Sequence, residues 1–433
     1  MRRIIFRPSF DSALRMAVAT LALGILWGAK SSSRSEFPIA LWSQSIGDPV
    51  VIDDVWSGVL LASEAVAIPS SNTLQLELVL RNPYTGLVLR KLVPEGWNFS
   101  RRNPQRASCD DSRGLFRIVN HGRLILGLEC PWLVVFDIET GALIRRELPR
   151  PNLLERTDSL EAVPYPPKPI ALAIDSVRGR LAAAYNVGPA PSLFIYTVDL
   201  KSELRFWPLK RFVQDVSWSR DGKHLAILYS GLYDENRQFI GWGRKPTKPG
   251  TFNLEIIDVK TGTVVARAFT GDAQEGQVLF DPESNFLYAI AADRLSDSEP
   301  QDTGIRVVDW KTGKLVRVLR KPGLSLHGEF AMSADGRWIA ANASTDLAHL
   351  PLVESDAFGN YSRIVALSSA TGEMLLQKSR KTSMARDPAL LFADESNILF
   401  EVLGPGRSHQ QRIEQKDEVS AYCMDTTCVK DPH

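Results

Sequence analysis

This sequence has few of the residues from which metal and redox sites are built. Its 433 residues include four cysteines, too few for a disulfide-built scaffold, and neither Cys pair completes a zinc motif. None of its six histidines lies two or four residues from another, which argues against a zinc or copper site built mainly from histidine. We therefore predict no bound metal and no cofactor.

Charge of one sign and known catalytic motifs are also missing. Lysine and arginine total 51 against 50 aspartates and glutamates, so no bulk positive field predicts nucleic-acid binding. The chain has no G-x-S-x-G nucleophile elbow, no P-loop, no GxGxxG and no Cys-x-x-Cys-His. These absences exclude a fused hydrolase domain, the usual phosphate-binding loops and covalently attached haem.

One hydrophobic run is present, at the N-terminus. Residues 1–15 carry four arginines against one acid, and residues 16–29 are uncharged and mostly apolar. A basic head followed by such a run is typical of a secretory signal, and Ala29-Lys30-Ser31 fits a small-x-small cleavage site. The run is short for a membrane span, which needs about 20 apolar residues. We predict residues 1–33 as a signal peptide or an uncleaved membrane anchor (residues 13–29), and residues 34–433 as one extracytoplasmic domain, periplasmic or secreted.

The cysteine pattern fits an exported chain. Cys109 and Cys130 are 21 residues apart, and Cys423 and Cys428 are five apart. Four cysteines allow three pairings, of which these two local pairs are the economical choice. The alternative is four unpaired thiols.

A repeat of about 57 residues runs through the remainder of the chain. Its marker is Asp-x-x-Thr-Gly after an alternating apolar stretch, as in Asp137-Ile-Glu-Thr-Gly141 and Asp309-Trp-Lys-Thr-Gly313. Asp, Asn or Ser accepts hydrogen bonds from the following backbone N–H groups, and Gly takes the positive φ of a hairpin turn. The marker positions are 82, 137, 199, 258, 309, 368 and 425.

A second column of turn residues precedes each marker. It contains Gly58, Gly122, Gly179, Gly222, Asn285, Gly336 and Asn397. Each unit therefore predicts four short strands, in the order A-turn-B-loop-C-turn-D. Seven such units predict an all-β fold, a seven-bladed β-propeller of four-stranded antiparallel blades.

The units resemble WD-repeat and YVTN-type propeller blades across residues 38–428, although the Trp-Asp dipeptide of the WD family is absent at the strand ends. The stretches Ser219-Arg-Asp-Gly-Lys223 and Ser333-Ala-Asp-Gly-Arg337 resemble blades of the TolB propeller. The turns also resemble those of quinoprotein dehydrogenases, but Arg145, Arg267 or Arg317 stands where those blades carry tryptophan. That departure counts against a quinone cofactor.

Both ends of the chain are predicted to meet in the last blade. Unit seven has room for strands A, B and C only, whereas residues 37–42 precede the first A strand and have no blade of their own. We predict that this N-terminal segment supplies the outer strand of blade seven and closes the ring, which removes an exposed edge.

Insertions accumulate in the B–C and D–A connections, which open on the same face of a propeller. Relative to the shortest unit, units four, six and seven carry 21, 17 and 13 extra residues between B and C. The insertions cover residues 229–251, 342–361 and 404–418, with residues 94–112 and 149–169 in the D–A links. Loops on a rigid scaffold often carry binding residues, and aromatic and arginine side chains are frequent hot spots. The candidate binding residues are Trp97, Arg101, Arg102, Tyr233, Trp242, Arg244, His349 and His409.

The sequence favours a monomeric, non-enzymatic platform that binds a protein or peptide through this face. Two alternatives stay open, because a propeller fold does not by itself give function. One is a propeller enzyme or small-ligand binder, lactonase-like or quinoprotein-like, that uses the central channel and needs acidic residues or histidines at its mouth. The other is an envelope protein whose propeller is only structural.

Overall fold

The computed structural model describes residues 38–46, 50–67, 73–94, 98–100, 116–129, 132–147, 169–186, 191–230, 252–268, 275–283, 285–292, 304–320, 324–345, 361–381, 389–392, 397–403 and 417–424. Within these ranges the chain forms 29 strands and no helix, hence none that could cross a membrane. The strands form seven antiparallel sheets arranged as the blades of a propeller. The predicted all-β class and the number of blades are confirmed.

The blades follow one another along the chain. Blade 1 contains β2 (Val50–Trp56), β3 (Val59–Ala67), β4 (Thr73–Arg81), β5 (Val88–Leu92) and β6 (Asn98–Ser100). Blade 2 contains β7 (Arg117–Val119), β8 (Leu124–Glu129), β9 (Trp132–Asp137) and β10 (Leu143–Glu147). Blade 3 contains β11 (Pro169–Asp175), β12 (Arg180–Tyr185), β13 (Ser192–Thr197) and β14 (Glu203–Pro208). Blade 4 contains β15 (Val213–Trp218), β16 (His224–Tyr229), β17 (Leu254–Asp258) and β18 (Val264–Ala268).

The last three blades have the same plan. Blade 5 contains β19 (Glu275–Phe280), β20 (Phe286–Ala292), β21 (Ile305–Asp309) and β22 (Lys314–Leu319). Blade 6 contains β23 (Leu324–Met332), β24 (Trp338–Thr345), β25 (Tyr361–Ser368) and β26 (Met374–Lys381). Blade 7 contains β27 (Ala389–Phe392), β28 (Ile398–Leu403), β29 (Asp417–Cys423) and, as its outer strand, β1 (Ile39–Ile46).

The N-terminal strand closes the ring as predicted. Strand β1 pairs antiparallel with β29 from Ile39 opposite Cys423 to Ile46 opposite Asp417. The innermost strands β27, β2 and β7 lie side by side, as do β11, β15, β19, β23 and β27. The first described strand is thus held in the last blade, so the two ends of the described chain are joined by backbone hydrogen bonds.

The hydrophobic core lies between blades rather than at one centre. Seven clusters of buried residues occur among the described residues, one for each blade-to-blade interface. In β12, Leu181 and Ala183 pack toward blade 2, whereas Ala182 and Ala184 pack toward blade 4. Because successive side chains of a strand point to opposite faces, each middle strand contributes to two clusters. This explains why the B and C strands are apolar at nearly every position.

The Asp-x-x-Thr-Gly marker forms the C–D turns. In blade 2, Asp137 Oδ1 accepts hydrogen bonds from the backbone N–H groups of Glu139 and Thr140 at 3.0 and 2.8 Å. The Gly141 N–H donates to the Asp137 carbonyl at 2.9 Å. The glycines that close five of these turns have φ between 69° and 74° (Gly86, Gly141, Gly262, Gly313 and Gly372). The structure thus confirms the chemistry predicted for the marker.

These turn carboxylates predict a dependence of stability on acid. Hydrogen bonds from the Thr261 N–H and hydroxyl hold the pKa of Asp258 below its usual value of 3.8. A lowered folded-state pKa stabilises the fold above about pH 4, and that contribution is lost as the pH falls through the lowered value. Asn82 starts the equivalent turn of blade 1, where its Oδ1 accepts from the Tyr84 and Thr85 N–H groups. We therefore expect Asp258→Asn to fold normally and its melting temperature to fall less between pH 5 and pH 3. In the same measurement the melting temperature of the reverse variant, Asn82→Asp, should fall more than that of the parent.

A β-bulge recurs at the same place in all seven outer strands. Just after each C–D turn, and near the start of β1, one extra residue interrupts the pairing with the C strand. Each extra residue is aliphatic: Leu41, Leu89, Ile144, Leu204, Val265, Val316 and Leu375. Bulges on edge strands twist the edge and disrupt its pairing with another chain. The sequence repeat did not predict these bulges.

Blade 1 departs from the four-stranded plan. Strand β6 pairs with the first residues of β4, from Thr73 opposite Ser100 to Gln75 opposite Asn98, while β5 pairs with the last residues of β4. Part of the predicted D–A insertion at residues 94–112 is therefore a fifth strand on the outer edge of the blade.

Candidate functional site

The connections that carry the insertions leave from one face of the ring, which we call the loop-rich face. In blade 4, Tyr229 at the end of β16 pairs with Val213 at the start of β15. Leu254 at the start of β17 pairs with Ala268 at the end of β18. The B–C and D–A connections therefore start and finish at the same edge of the sheet. We call the opposite face, with its short A–B and C–D turns, the tight-turn face.

The eight candidate binding residues lie outside the residues that the structure describes, so their role stays a prediction. They are Trp97, Arg101, Arg102, Tyr233, Trp242, Arg244, His349 and His409. The same holds for Cys109, Cys130 and Cys428. Cys423, on β29, is fully buried and disulfide-bonded. The pairing of the four cysteines stays a prediction.

The structure does describe the base of the longest insertion, residues 229–251. Here the Tyr229 hydroxyl donates to Glu255 Oε2 at 2.6 Å, and Arg267 Nε donates to Glu255 Oε1 at 2.9 Å. Only 3% of Tyr229 is exposed. Burial raises the pKa of Tyr229 well above its usual range, and the Glu255 charge raises it further. The hydroxyl is therefore a neutral donor that holds the carboxylate in place.

Arginines bracket the same base. The Arg211 guanidinium donates to the Phe252 carbonyl and lies 5.1 Å from the centre of the Tyr229 ring. The Arg267 guanidinium lies 4.6 Å from the centre of the Phe252 ring. Such cation–π contacts are worth about 0.5–2 kcal/mol each, more when desolvated. The two arginines thus fix the residue at which the chain returns from the insertion.

Backbone hydrogen bonds hold both ends of this insertion. The Tyr229 N–H donates to the Asn253 carbonyl at 2.8 Å, and the Ser230 N–H donates to the Phe212 carbonyl at 2.9 Å. Asn186, which directly follows β12 of blade 3, makes two hydrogen bonds to Val213: its Nδ2 donates to the Val213 carbonyl, and its Oδ1 accepts from the Val213 N–H. The insertion of blade 4 therefore leaves from a rigid base that is tied to blade 3. We call Arg211, Tyr229, Phe252, Glu255 and Arg267 the blade 4 base.

Blade 3 has a matching tyrosine without the carboxylate. Tyr185 ends β12 as Tyr229 ends β16, but Phe194 stands where blade 4 has Glu255. Tyr185 is fully buried against Phe194, with ring centres 5.7 Å apart, and its hydroxyl has no hydrogen-bond partner among the residues that the structure describes. The tyrosine hydroxyl at this position is thus hydrogen-bonded to a carboxylate in blade 4, whereas in blade 3 it has no partner among the described residues.

This pair gives a matched test of the blade 4 base. Tyr229→Phe removes a hydrogen bond to a charged acceptor, so we expect the free energy of unfolding to fall by about 1.5–3 kcal/mol. Tyr185→Phe removes an unsatisfied buried hydroxyl and should leave stability within about 0.5 kcal/mol of the parent or raise it. Urea titrations of both variants measure the difference. Equal losses in the two variants would contradict the assigned role of Glu255.

The innermost strands use their polar side chains to join blades. Asp54 Oδ2 accepts from the Ile118 N–H at 2.7 Å, and Asp215 Oδ2 accepts from the Val278 N–H at 2.8 Å. Gln277 Oε1 accepts from the Phe330 N–H at 2.6 Å. In the described part of the chain no three His, Cys, Asp or Glu residues come together to hold a metal ion. The three polar side chains named above thus hold neighbouring blades together.

Comparison with known proteins supports the fold alone. No protein-family model matches the chain, and no curated protein sequence is significantly similar to it. Its structure is similar to the β-propeller domain of Cps50 (Swd1) from Myceliophteria thermophila, with a TM-score of 0.50 and 13% identity over 89% of this chain and 99% of that one. A hydrazine synthase of Kuenenia stuttgartiensis also matches, with a TM-score of 0.45 and 15% identity over 66% of this chain and 72% of that one.

The sequence predicts the insertions but not the residues that hold their ends. Glu255 and Arg267 alternate with buried apolar residues, which predicts exposed positions on a strand. Their pairing depends on register across β17 and β18, where Glu255 lies opposite Arg267. A signal was nonetheless present, because Tyr229 is the first residue of the longest insertion and Glu255 follows four residues after its end.

Proposed function

We propose that this protein is an exported, monomeric β-propeller of residues 34–433 that binds a protein or peptide through its loop-rich face. Residues 1–33 direct it out of the cytoplasm, and residues 13–29 tether it to the membrane where the segment is not cleaved. The observation that carries the binding proposal is the blade 4 base, in which a buried tyrosine, a carboxylate and two arginines fix both ends of the longest insertion.

A fixed base favours binding because it limits the conformational entropy that an insertion loses when it binds a partner. An insertion whose two ends are already held has less of this entropy to lose. The insertion carries Tyr233, Trp242 and Arg244, and these residue types dominate interface hot spots. Propeller folds supply such loops on a rigid scaffold.

We further assign the blades to the TolB-like subtype on the geometry of two A–B turns. In blade 4, Ser219 Oγ donates to Asp221 Oδ1 at 2.7 Å and accepts from the His224 N–H at 2.9 Å. In blade 6, Ser333 Oγ donates to Asp335 Oδ1 at 2.7 Å and accepts from the Trp338 N–H at 3.0 Å. The two motifs that resemble TolB blades therefore share one hydrogen-bonding pattern with each other, which supports assigning them to one blade type.

Affinity capture with the full chain tests the binding proposal. The bait is compared with a variant in which residues 233–249 are replaced by a short Gly-Ser turn, which leaves the blade 4 base in place. The control variant is Lys201→Ser with Lys260→Ser, two exposed positions in C–D turns of the tight-turn face. We expect a partner from detergent-solubilised envelope to be retained by the parent and the control and lost by the shortened variant.

The purified partner must then bind directly. Titration of that partner against the three proteins should show at least about tenfold weaker binding to the shortened variant only. Equal binding to all three would overturn the assignment of the loop-rich face. Equal melting temperatures of parent and variants would exclude unfolding as the cause of a loss.

A further inference from the structure

Blade 1 has the richest exposed apolar surface in the described part of the chain. Five residues at its C–D turn and outer strand are 39–63% exposed. We call them the blade 1 patch: Tyr84, Leu87, Val88, Leu89 and Val93. Contiguous exposed apolar surface on a soluble domain commonly marks an interaction site.

The bulge common to all blades accounts for only part of this patch. Blades 2, 4 and 5 each expose one aliphatic pair at the equivalent place: Leu143 and Ile144, Val264 and Val265, and Leu315 and Val316. Blade 1 adds a third consecutive aliphatic residue, an exposed tyrosine and Val93. The excess is therefore a property of blade 1 and not of the repeat.

The chain enters the fold beside this patch. Trp42 Nε1, on β1, donates to the carbonyl of Pro83 at 2.8 Å, and Pro83 directly precedes Tyr84. Strand β1 begins at Ile39, opposite Cys423 at the end of β29, so its start lies at the tight-turn face. Whatever precedes Ile39 is thus attached next to the blade 1 patch.

The apolar N-terminal run ends only ten residues before Ile39. Ten residues span at most about 35 Å when fully extended. A bilayer that holds this run is therefore always within reach of the blade 1 patch, and tethering raises its effective concentration there. The uncharged run of 14 residues is shorter than the about 20 apolar residues that a membrane span needs. A second contact between the domain and the bilayer would therefore add to the anchoring that this short run provides.

We propose that the blade 1 patch is this second contact and rests on the surface of a lipid bilayer. The inference depends on the tether given under the proposed function. The chemistry suits a bilayer interface, because aliphatic side chains can enter the acyl boundary while a tyrosine sits at headgroup level. Lys91, half-exposed and paired with Glu77 at 2.8 Å, lies on the same strand, as does Arg90, which donates to the Glu139 carbonyl at 3.0 Å. The opposite, loop-rich face then points away from the membrane.

A cleavable tether tests the inference. The full chain, with a protease site inserted between residues 33 and 34, is reconstituted into vesicles of phosphatidylcholine and phosphatidylglycerol and then cut. The patch variant is Val88→Ser with Leu89→Ser, and the matched control is Leu315→Ser with Val316→Ser at the equivalent positions of blade 5. We expect the cut parent and the control to stay on the vesicles, and the cut patch variant to bind at least about tenfold more weakly.

The outcomes separate the two proposals. If the uncut chain does not float with vesicles, the tether fails and the docking inference fails with it. If the uncut chain floats but the cut parent is released as readily as the patch variant, the tether stands and the docking inference is overturned. Self-association that the patch variant abolishes would make the patch an interface between two copies and would also overturn it.

Discussion

Arg81→Met is expected to lower the free energy of unfolding by about 3–5 kcal/mol, because it leaves a buried carboxylate unpaired. Arg81 Nη2 lies 2.6 Å from Glu64 Oε1, and both side chains are less than 10% exposed. The same guanidinium donates to the Gly86 carbonyl at 3.1 Å and to Gln44 of the closing strand at 3.4 Å. The ion pair therefore lies where β1 packs against blade 1, and its loss should open the ring at that place.

The double variant Arg81→Met with Glu64→Leu is the decisive control. Replacing both members of a buried ion pair with apolar residues is often neutral or stabilising, because neither charge then has to be desolvated. We expect it to recover most of the stability lost in the single variant, as measured by urea unfolding. A double variant as unstable as Arg81→Met would show that packing, and not the unpaired charge, causes the loss.

Gly313→Ala is the second substitution with a large expected effect. It should lower the free energy of unfolding by about 3 kcal/mol or more. Gly313 has φ of 69°, and a Cβ placed on it would lie 2.1 Å from the Arg267 carbonyl oxygen of the preceding blade. The obstacle is backbone of a neighbouring strand, so relief requires blades 4 and 5 to move apart. Left-handed backbone alone costs a non-glycine residue about 1–2 kcal/mol.

Gly58→Ala distinguishes the cost of the left-handed backbone from the cost of the steric clash that Gly313→Ala would create. Gly58 has a similar φ of 75°, but nothing lies within 4 Å of a Cβ placed there. Gly58→Ala should therefore lose only the cost of the left-handed backbone, about 1–2 kcal/mol, when urea unfolding of the two glycine variants is compared. Equal losses at the two glycines would contradict the close approach of adjacent blades at Gly313.

Local chemistry was enough to predict the architecture. The Thr-Gly turns and the Asp-Gly turns each depend on neighbours within five residues, and they appear in the structure where the repeat places them. The closing strand was also predictable, because unit seven lacks a D strand and residues 37–42 lack a blade. In the turns, the residues that interact are close together in the sequence. For the closing strand, the repeat pattern shows which blade lacks a strand and which strand lacks a blade.

Features that depend on register were not predictable from the sequence. The Arg81–Glu64 pair joins residues 17 apart whose approach depends on how β3, β4 and β1 pack together. The bulges at Leu89 and Val316 were missed because consecutive aliphatic residues do not reveal which of them is the extra one. Strand β6 has only three residues, Asn-Phe-Ser, too few for any alternation to be seen.

Binding of a partner through the loop-rich face is tested most directly by position-specific photo-crosslinking. A photoreactive residue is placed at Tyr233, Trp242 or His349 in the insertions, and at Lys201, Lys260 or Lys311 in the C–D turns of the tight-turn face. We expect one and the same polypeptide to be crosslinked from the first three positions and not from the last three. Crosslinks to a partner from the C–D turns, with none from the insertions, would contradict it.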